Sequence, residues 1–91
     1  MHLTVTDTFA IAELGIVVFV GPEPIPLPPG SRHRVLITRP DGESVEAVAS
    51  IESVRKDSFA GEFPALLFPS LAPGQVVLGS NISVIAEVRD A

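Results

Sequence analysis

Residues 45–56, VEAVASIESVRK, decide the fold. The stretch contains no Gly or Pro. Val45, Ala47, Ala49 and Ile51 fall on one parity, and Val48 and Val54 on the other. Side chains of a strand alternate between its two faces, so the pattern gives two apolar rows on one long strand. Such a strand is covered on parts of both faces, or shifts register at a bulge expected near Ser50. A strand of this length serves two neighbours in turn, as a barrel requires.

Upstream, Leu3, Val5, Phe9 and Ile11 share one parity around the polar Thr4 and Thr6. This predicts a half-buried strand over 3–11 with Phe9 and Ile11 on the core side. Glu13, Leu14 and Gly15 read as a turn, with Gly15 free to take positive φ. The run IVVFV at 16–20 has no polar residue and predicts a strand covered on both faces. These two strands are expected to pair as an antiparallel hairpin. Residues 21–30 (GPEPIPLPPG) hold five prolines. Proline fixes φ and lacks the N–H of a ladder, so this is an extended, polyproline-like connection. Ile25 and Leu27 are expected to turn inward, and the segment to cover a sheet edge. A proline-rich ligand for an SH3-like partner is the other reading, but such ligands sit in flexible, basic-flanked tails.

Downstream of the prolines, RHRVLITR at 32–39 reads as a third strand. Pro40, Asp41 and Gly42 read as a turn into the long strand, a tight hairpin or a short bulged loop. Residues 57–61 read as a loop, with Phe59 folding back over the core. EFPALLF at 62–68 is another strand, with Pro64 marking its entry, an edge or a bulge. Residues 69–79 form a second Pro/Gly connection with an apolar piece at 76–78. Residues 80–88 (SNISVIAEV) close the chain, with Ile82, Val84, Ala86 and Val88 expected on one face. No stretch holds a helical period beyond about two turns. The prediction is an all-β chain, one domain over 1–91, folded as a small antiparallel barrel (a sandwich being the alternative) of six or seven strands.

Composition narrows the function classes. Chains of this size bury roughly 60–70% of their unfolded surface, so one unstapled core is feasible. The sequence is 46% hydrophobic and 5% aromatic, with all five aromatics Phe, so the core is mostly aliphatic. Absence of Cys removes disulfides, thiolate metal sites and thiol nucleophiles. The formal net charge of −5 opposes nucleic acid and anionic membranes. The opening MHLTVTD lacks a basic region followed by a long apolar run, so no signal peptide is expected. The longest apolar runs are too short to span a bilayer as a helix. A cytoplasmic location is the default expectation, with no membrane partner.

Several pieces carry a family resemblance. Phe9, Ala10 and Ile11, then Gly15, Val17, Val18 and Gly21, are similar to an F-x-I…G-x-V-V-T-G opening hairpin. Pro29 and Gly30 stand where a V-G begins a third strand. Residues 48–56 (VASIESVRK) are similar to a long strand carrying a V-E pair and a terminal basic residue, and residues 65–71 (ALLFPSL) to G-L-L-L-R-G-I. Gly79 precedes the closing strand. In this order the pieces resemble the β-barrel that follows the GTPase domain in translation factors of the elongation factor Tu class. Glu13 and Leu14 replace the usual Gly-Arg, residues 19–21 are one longer than the usual Thr-Gly, and Phe68 and Pro69 stand where Arg-Gly is common. The resemblance implies the barrel fold and a stand-alone domain, and nothing catalytic. No G-x-x-x-x-G-K-[ST] loop is present, so no GTP binding is expected and no cofactor is implied.

Candidate chemistry is sparse. Arg32, His33 and Arg34, with Arg39 at the end of the same strand, form the basic cluster. Arg32, Arg34 and Arg39 are the candidate binding residues for phosphate or RNA. The plainer reading is a charged strand that resists edge-to-edge aggregation, since no Tyr or Trp is available for base stacking. His2 and His33 with scattered acids do not compose a three- or four-ligand zinc site. None of the serines lies in a G-x-S-x-G elbow, and His33 is the one candidate base in an ordered region. Asp41, Glu43 and Glu46 are expected to pair with Arg39 or Arg55 at the surface. The sequence therefore points to a non-enzymatic binding or adaptor module for a protein or ribonucleoprotein partner, connected with translation if the resemblance holds. One alternative is an interaction domain unrelated to translation, such as a homodimer using an open edge or the Pro-rich connection. The other is a weak RNA binder through Arg32, Arg34 and Arg39.

Overall fold

The computed structural model describes residues 2–21, 25–55 and 62–89. Six strands follow in chain order: β1 (His2–Ile11), β2 (Gly15–Gly21), β3 (Arg32–Thr38), β4 (Ser44–Arg55), β5 (Glu62–Phe68) and β6 (Asn81–Val88). They form a closed antiparallel barrel in the order β1-β2-β5-β4-β3-β6. The all-β class, the barrel and the lower strand count are as expected. Among the described residues there is no helix, hence none long and apolar enough to cross a membrane.

The long strand does what its pattern demands. Residues Ser44 to Ser50 of β4 pair with β3, and Ser50 to Arg55 pair with β5. Ser50 stands opposite both Arg32 and Leu67, at the handover between neighbours. Val45, Ala47, Ala49 and Ile51 point into the core, with Ala49 and Ile51 fully buried. The bulge expected near Ser50 is not there, since no register shift falls within β4.

The register shifts lie instead in β1, between Val5 and Asp7, and in β6, where Arg34 and Val35 of β3 oppose Ala86 and Val84. A single inserted residue turns every later side chain to the other face. Leu3 and Val5 are buried, while Phe9 and Ile11 lie 48% and 44% exposed on the outside. In β6, Ile82 and Val84 join the core, but Ala86 lies on the exposed side and Val88 is only half-buried. The core placement expected for Phe9, Ile11, Ala86 and Val88 is thereby corrected. The shift in β1 has a tertiary cause: Val5 N donates to Ser80 O (2.9 Å) and Val5 O accepts from Gly79 N (3.0 Å). The chain entering β6 thus holds β1 at that point.

The turns follow local chemistry. Gly42 N donates to Arg39 O (2.9 Å) and Arg39 N to Glu43 O (2.8 Å), with Gly42 at φ 92°. Pro40 presets the first turn position, and Asp41 Oδ1 accepts from Glu43 N (2.9 Å). This is a type I turn closed by a left-handed Gly, a common three-residue hairpin loop. Between β1 and β2, Gly15 adopts φ 127°. A Cβ there would meet the carbonyl oxygen of Phe68 and lie 2.7 Å from Pro69 Cα.

Both Pro/Gly segments are crossovers between strands that are not neighbours. The first leads from β2 to β3, buries Ile25 and packs Leu27 on the core. Its end is docked on β4, with Gly30 N donating to Ile51 O (2.7 Å) and Ile51 N to Ser31 O (2.8 Å). The second leads from β5 to β6 and buries Val76, but its apolar piece forms no strand. The end of the first segment covers β4 at Ile51, just past the last β3–β4 pair, Arg32/Ser50, as expected of it. Pro64 pairs with Ser53, where β5 has parted from β2; the β2–β5 pairs run from Ile16/Phe68 to Val18/Leu66. That is the edge position its missing N–H requires. The expected loop at 57–61, with Phe59, lies outside the described residues.

Gly15→Ala is expected to destabilise the fold by about 2–4 kcal/mol, combining left-handed strain with overpacking against backbone. Gly74→Ala, with φ 94° but open space around its Cβ, should cost only about 1–2 kcal/mol. Urea denaturation midpoints of the two variants check the difference. Equal losses would mean that contact with Phe68 and Pro69 does not matter.

Candidate functional site

The basic cluster is dispersed by the strand that carries it. Arg32, Arg34, Leu36 and Thr38 point out of β3, and His33, Val35 and Ile37 point in. Arg34 Nε lies 3.0 Å from Glu46 Oε1 on the neighbouring β4, and both side chains are about half exposed. Arg39 sits in the β3–β4 turn, five residues or roughly 16 Å beyond Arg34. Its guanidinium lies 3.2 Å from Asp41 Oδ2 and donates to Gly74 O at 3.1 Å. Arg39 therefore ties the second crossover to the hairpin. Arg32 and Arg34 share the outer face as the parity predicts, but Arg39 does not join them. The expected acid partners hold in part: Asp41 pairs with Arg39, while Glu46 pairs with Arg34.

His33 is buried, 5% exposed. Its Nε2 lies 2.9 Å from Ser31 Oγ, and Ser31 Oγ donates to Pro28 O at 2.6 Å. A hydroxyl carries one proton. With that proton directed at Pro28 O, His33 Nε2 is the donor to Ser31 Oγ. The polarity is opposite to that of a base activating a nucleophile. The Pro28–Ser31–His33 chain instead locks the end of the first crossover into the barrel. His2, at the start of β1, bonds Ser83 through Nδ1 at 2.9 Å. Among the described residues no group of three or more His, Cys, Asp or Glu is arranged to hold a metal.

The feature that residue-by-residue search for chemistry misses is apolar. Val17 and Phe19 of β2 alternate with the core residues Ile16 and Val18, so they face outward. With Ala65 of β5 they form a second cluster, packed by Val54, Phe63 and Leu67. Phe9 joins it edge to face on Phe19, with ring centroids 5.9 Å apart and planes at 87°. Ile11 and Leu14, 44% and 50% exposed, extend the face toward the β1–β2 turn. Of the four described phenylalanines, Phe68 alone belongs to the interior cluster. The signal was present in the sequence. A barrel has one interior, so the all-apolar run at 16–20 must place half its side chains outside.

Elsewhere the barrel's exterior is mixed. Leu36, Val48 and Ile85 are exposed, but Leu36 stands opposite Glu46 and Val48 opposite Arg34. The aromatic wall spans β1, β2, β5 and the end of β4. In the six-stranded ring, β3 and β6 lie across from β2 and β5.

No protein-family model matches this chain, and no curated protein or solved structure matches it with significance.

Two outcomes follow from this geometry. Ser31→Ala leaves the buried His33 Nε2 without its acceptor and is expected to cost about 1–3 kcal/mol in urea denaturation. An unchanged midpoint would mean that the ring finds another partner. Replacing Arg32, Arg34 and Arg39 together by Ala is expected to leave retention of single-stranded RNA in filter binding at the wild-type level. Loss of retention with a flattened salt dependence would instead establish the RNA reading.

Proposed function

We propose that this chain is a non-enzymatic binding or adaptor module of the translation-factor barrel type, acting on a protein or ribonucleoprotein partner. The observation that carries the binding role is the aromatic outer wall around Phe9 and Phe19. A soluble barrel gains nothing by exposing large apolar groups outward, and a contiguous exposed patch is the mark of an interaction surface. Fully burying a Leu, Ile or Phe side chain contributes roughly 1.5–3 kcal/mol. Phe9, Ile11 and Leu14 are each about half exposed, so a covering partner gains on the order of 1 kcal/mol from each.

The link to translation rests on the residue pattern described above, from the opening hairpin to the Gly before the closing strand. The barrel class is compatible with that likeness. A homodimer is the second reading, because the same wall would serve a second copy. Ring closure leaves it without the continuous open edge that an edge-paired dimer needs.

The expected outcome is co-sedimentation of the chain with ribosomes, or direct binding to a purified translation factor. Either is weakened at least tenfold by the double substitution Phe9→Ser and Leu14→Ser. Absence of both associations for the wild-type chain discards the translation link. Light scattering over a hundredfold concentration range separates the dimer, since a constant monomer mass excludes it.

A further inference from the structure

We propose that Asp41 is a site of spontaneous backbone isomerisation, from aspartate to its β-linked isomer, and that Arg39 holds this modification in check in the folded chain. The site is independent of the binding role given above. Asp41 and Gly42 form the one Asp-Gly pair in the sequence, and both are exposed in the β3–β4 turn. Glycine has no Cβ to shield its amide nitrogen, so that nitrogen can attack the carboxyl group of the residue before it. The Gly42 nitrogen bonds to Cγ of the Asp41 carboxylic acid, the Cγ–OH bond breaks, and water leaves with the amide hydrogen. Water then opens the five-membered imide. Opening at Cγ restores aspartate. Opening at the main-chain carbonyl leaves a free α-carboxylate and a chain that runs through Cγ, one backbone atom longer. No oxidant or reductant takes part, and the final mass is unchanged.

Both reacting groups are engaged elsewhere. Gly42 N donates to Arg39 O at 2.9 Å, and Asp41 Oδ1 accepts from Glu43 N at 2.9 Å. The Arg39 guanidinium lies 3.2 Å from Asp41 Oδ2 and donates to Gly74 O at 3.1 Å. One planar fork thus ties the carboxyl group to the second crossover. The crossover meets the turn again at Gly79, where an added Cβ would lie 3.5 Å from Pro40 Cγ. For the nitrogen to reach Cγ, the carboxyl group must leave Glu43 N and Arg39, and the Gly42 amide must give up Arg39 O. The reaction therefore waits on local opening of the turn. The product would keep the turn from closing again. An extra backbone atom after Asp41 upsets the fit of Arg39 to Glu43 that ends the hairpin, and with it the hold of Arg39 on Gly74.

The test incubates the full chain at neutral pH and physiological temperature, folded and in urea. Mass-spectrometric peptide mapping follows the isomer at residue 41, which separates from aspartate by retention at unchanged mass. The folded chain should isomerise at least tenfold more slowly than the chain in urea. Arg39→Ala should raise the folded rate at least threefold. Arg39→Lys should fall between, since one ammonium does not grip Asp41 and Gly74 together as the fork does. Ser31→Ala, at the opposite end of β3, loosens the fold without touching the turn and should leave the rate at the wild-type value. Urea midpoints show that each variant is folded; where Arg39→Ala is not, Arg39→Lys carries the comparison.

Equal rates in the folded chain and in urea overturn the proposal, as does a wild-type rate in the folded Arg39 variants. Acceleration by Ser31→Ala equal to that by the Arg39 variants also overturns it, because general loosening of the barrel would then set the rate. No partner enters the incubation, so its failure is separate from failure of the binding role.

Discussion

Closure of the ring is the constraint on which the rest depends. A closed barrel offers one dry interior, and each strand gives that interior one side-chain row. Phe68, Ile37, Ile51, Leu66, Ile82, Val18 and Val35 fill it with no exposed surface. The two crossovers add Ile25 and Val76 to the same cluster. The alanines matter as much as the large residues. Ala47 and Ala49 of β4 leave room for their larger neighbours in the same cluster. Any apolar side chain beyond what this space holds must go outside.

Two register shifts decide which residues those are. In β1 the extra residue after Val5 turns Phe9 and Ile11 away from the core. The exterior then holds a Phe9–Phe19 pair that a regular strand would have split between faces. In β6 the shift at Ile85 turns Ala86 outward beside Arg34. Bulges commonly re-aim side chains near functional surfaces, and the one in β1 enlarges the apolar wall by two large residues.

What was legible in the sequence was local. Pro40, Asp41 and Gly42 announce their turn because each residue's own backbone preference matches its place. Gly15 does the same. The two Pro/Gly segments exclude ladder pairing whatever surrounds them, and the parity of residues 45–51 survives into β4 intact. The register shifts were not legible. The shift in β1 is enforced by bonds from Val5 to Gly79 and Ser80, more than seventy residues away, and no property of Thr6 or Asp7 announces it. The basic cluster was misleading for a related reason. Sequence neighbourhood suggested one patch from Arg32 to Arg39, whereas an extended strand separates its ends, and Glu46 and Asp41 engage two of the three cations. The aromatic wall was half legible: the run at 16–20 implied apolar groups outside, but not that Phe9 and Ile11 would join them.

The wall itself divides into two kinds of residue, and the division separates stability from recognition. Val17, Phe19 and Ala65 are buried beneath their neighbours on the outer face, so the folded chain already gains their withdrawal from water. Phe9, Ile11 and Leu14 remain about half in water, and folding alone leaves that part of their surface unused. Phe9 also stacks edge to face on Phe19, but stability alone does not require an apolar residue at Ile11 or Leu14. Ile11 and Leu14 lie at the end of β1 and at the hairpin tip, and each is about half exposed. Their apolar character is therefore better explained by something that covers them.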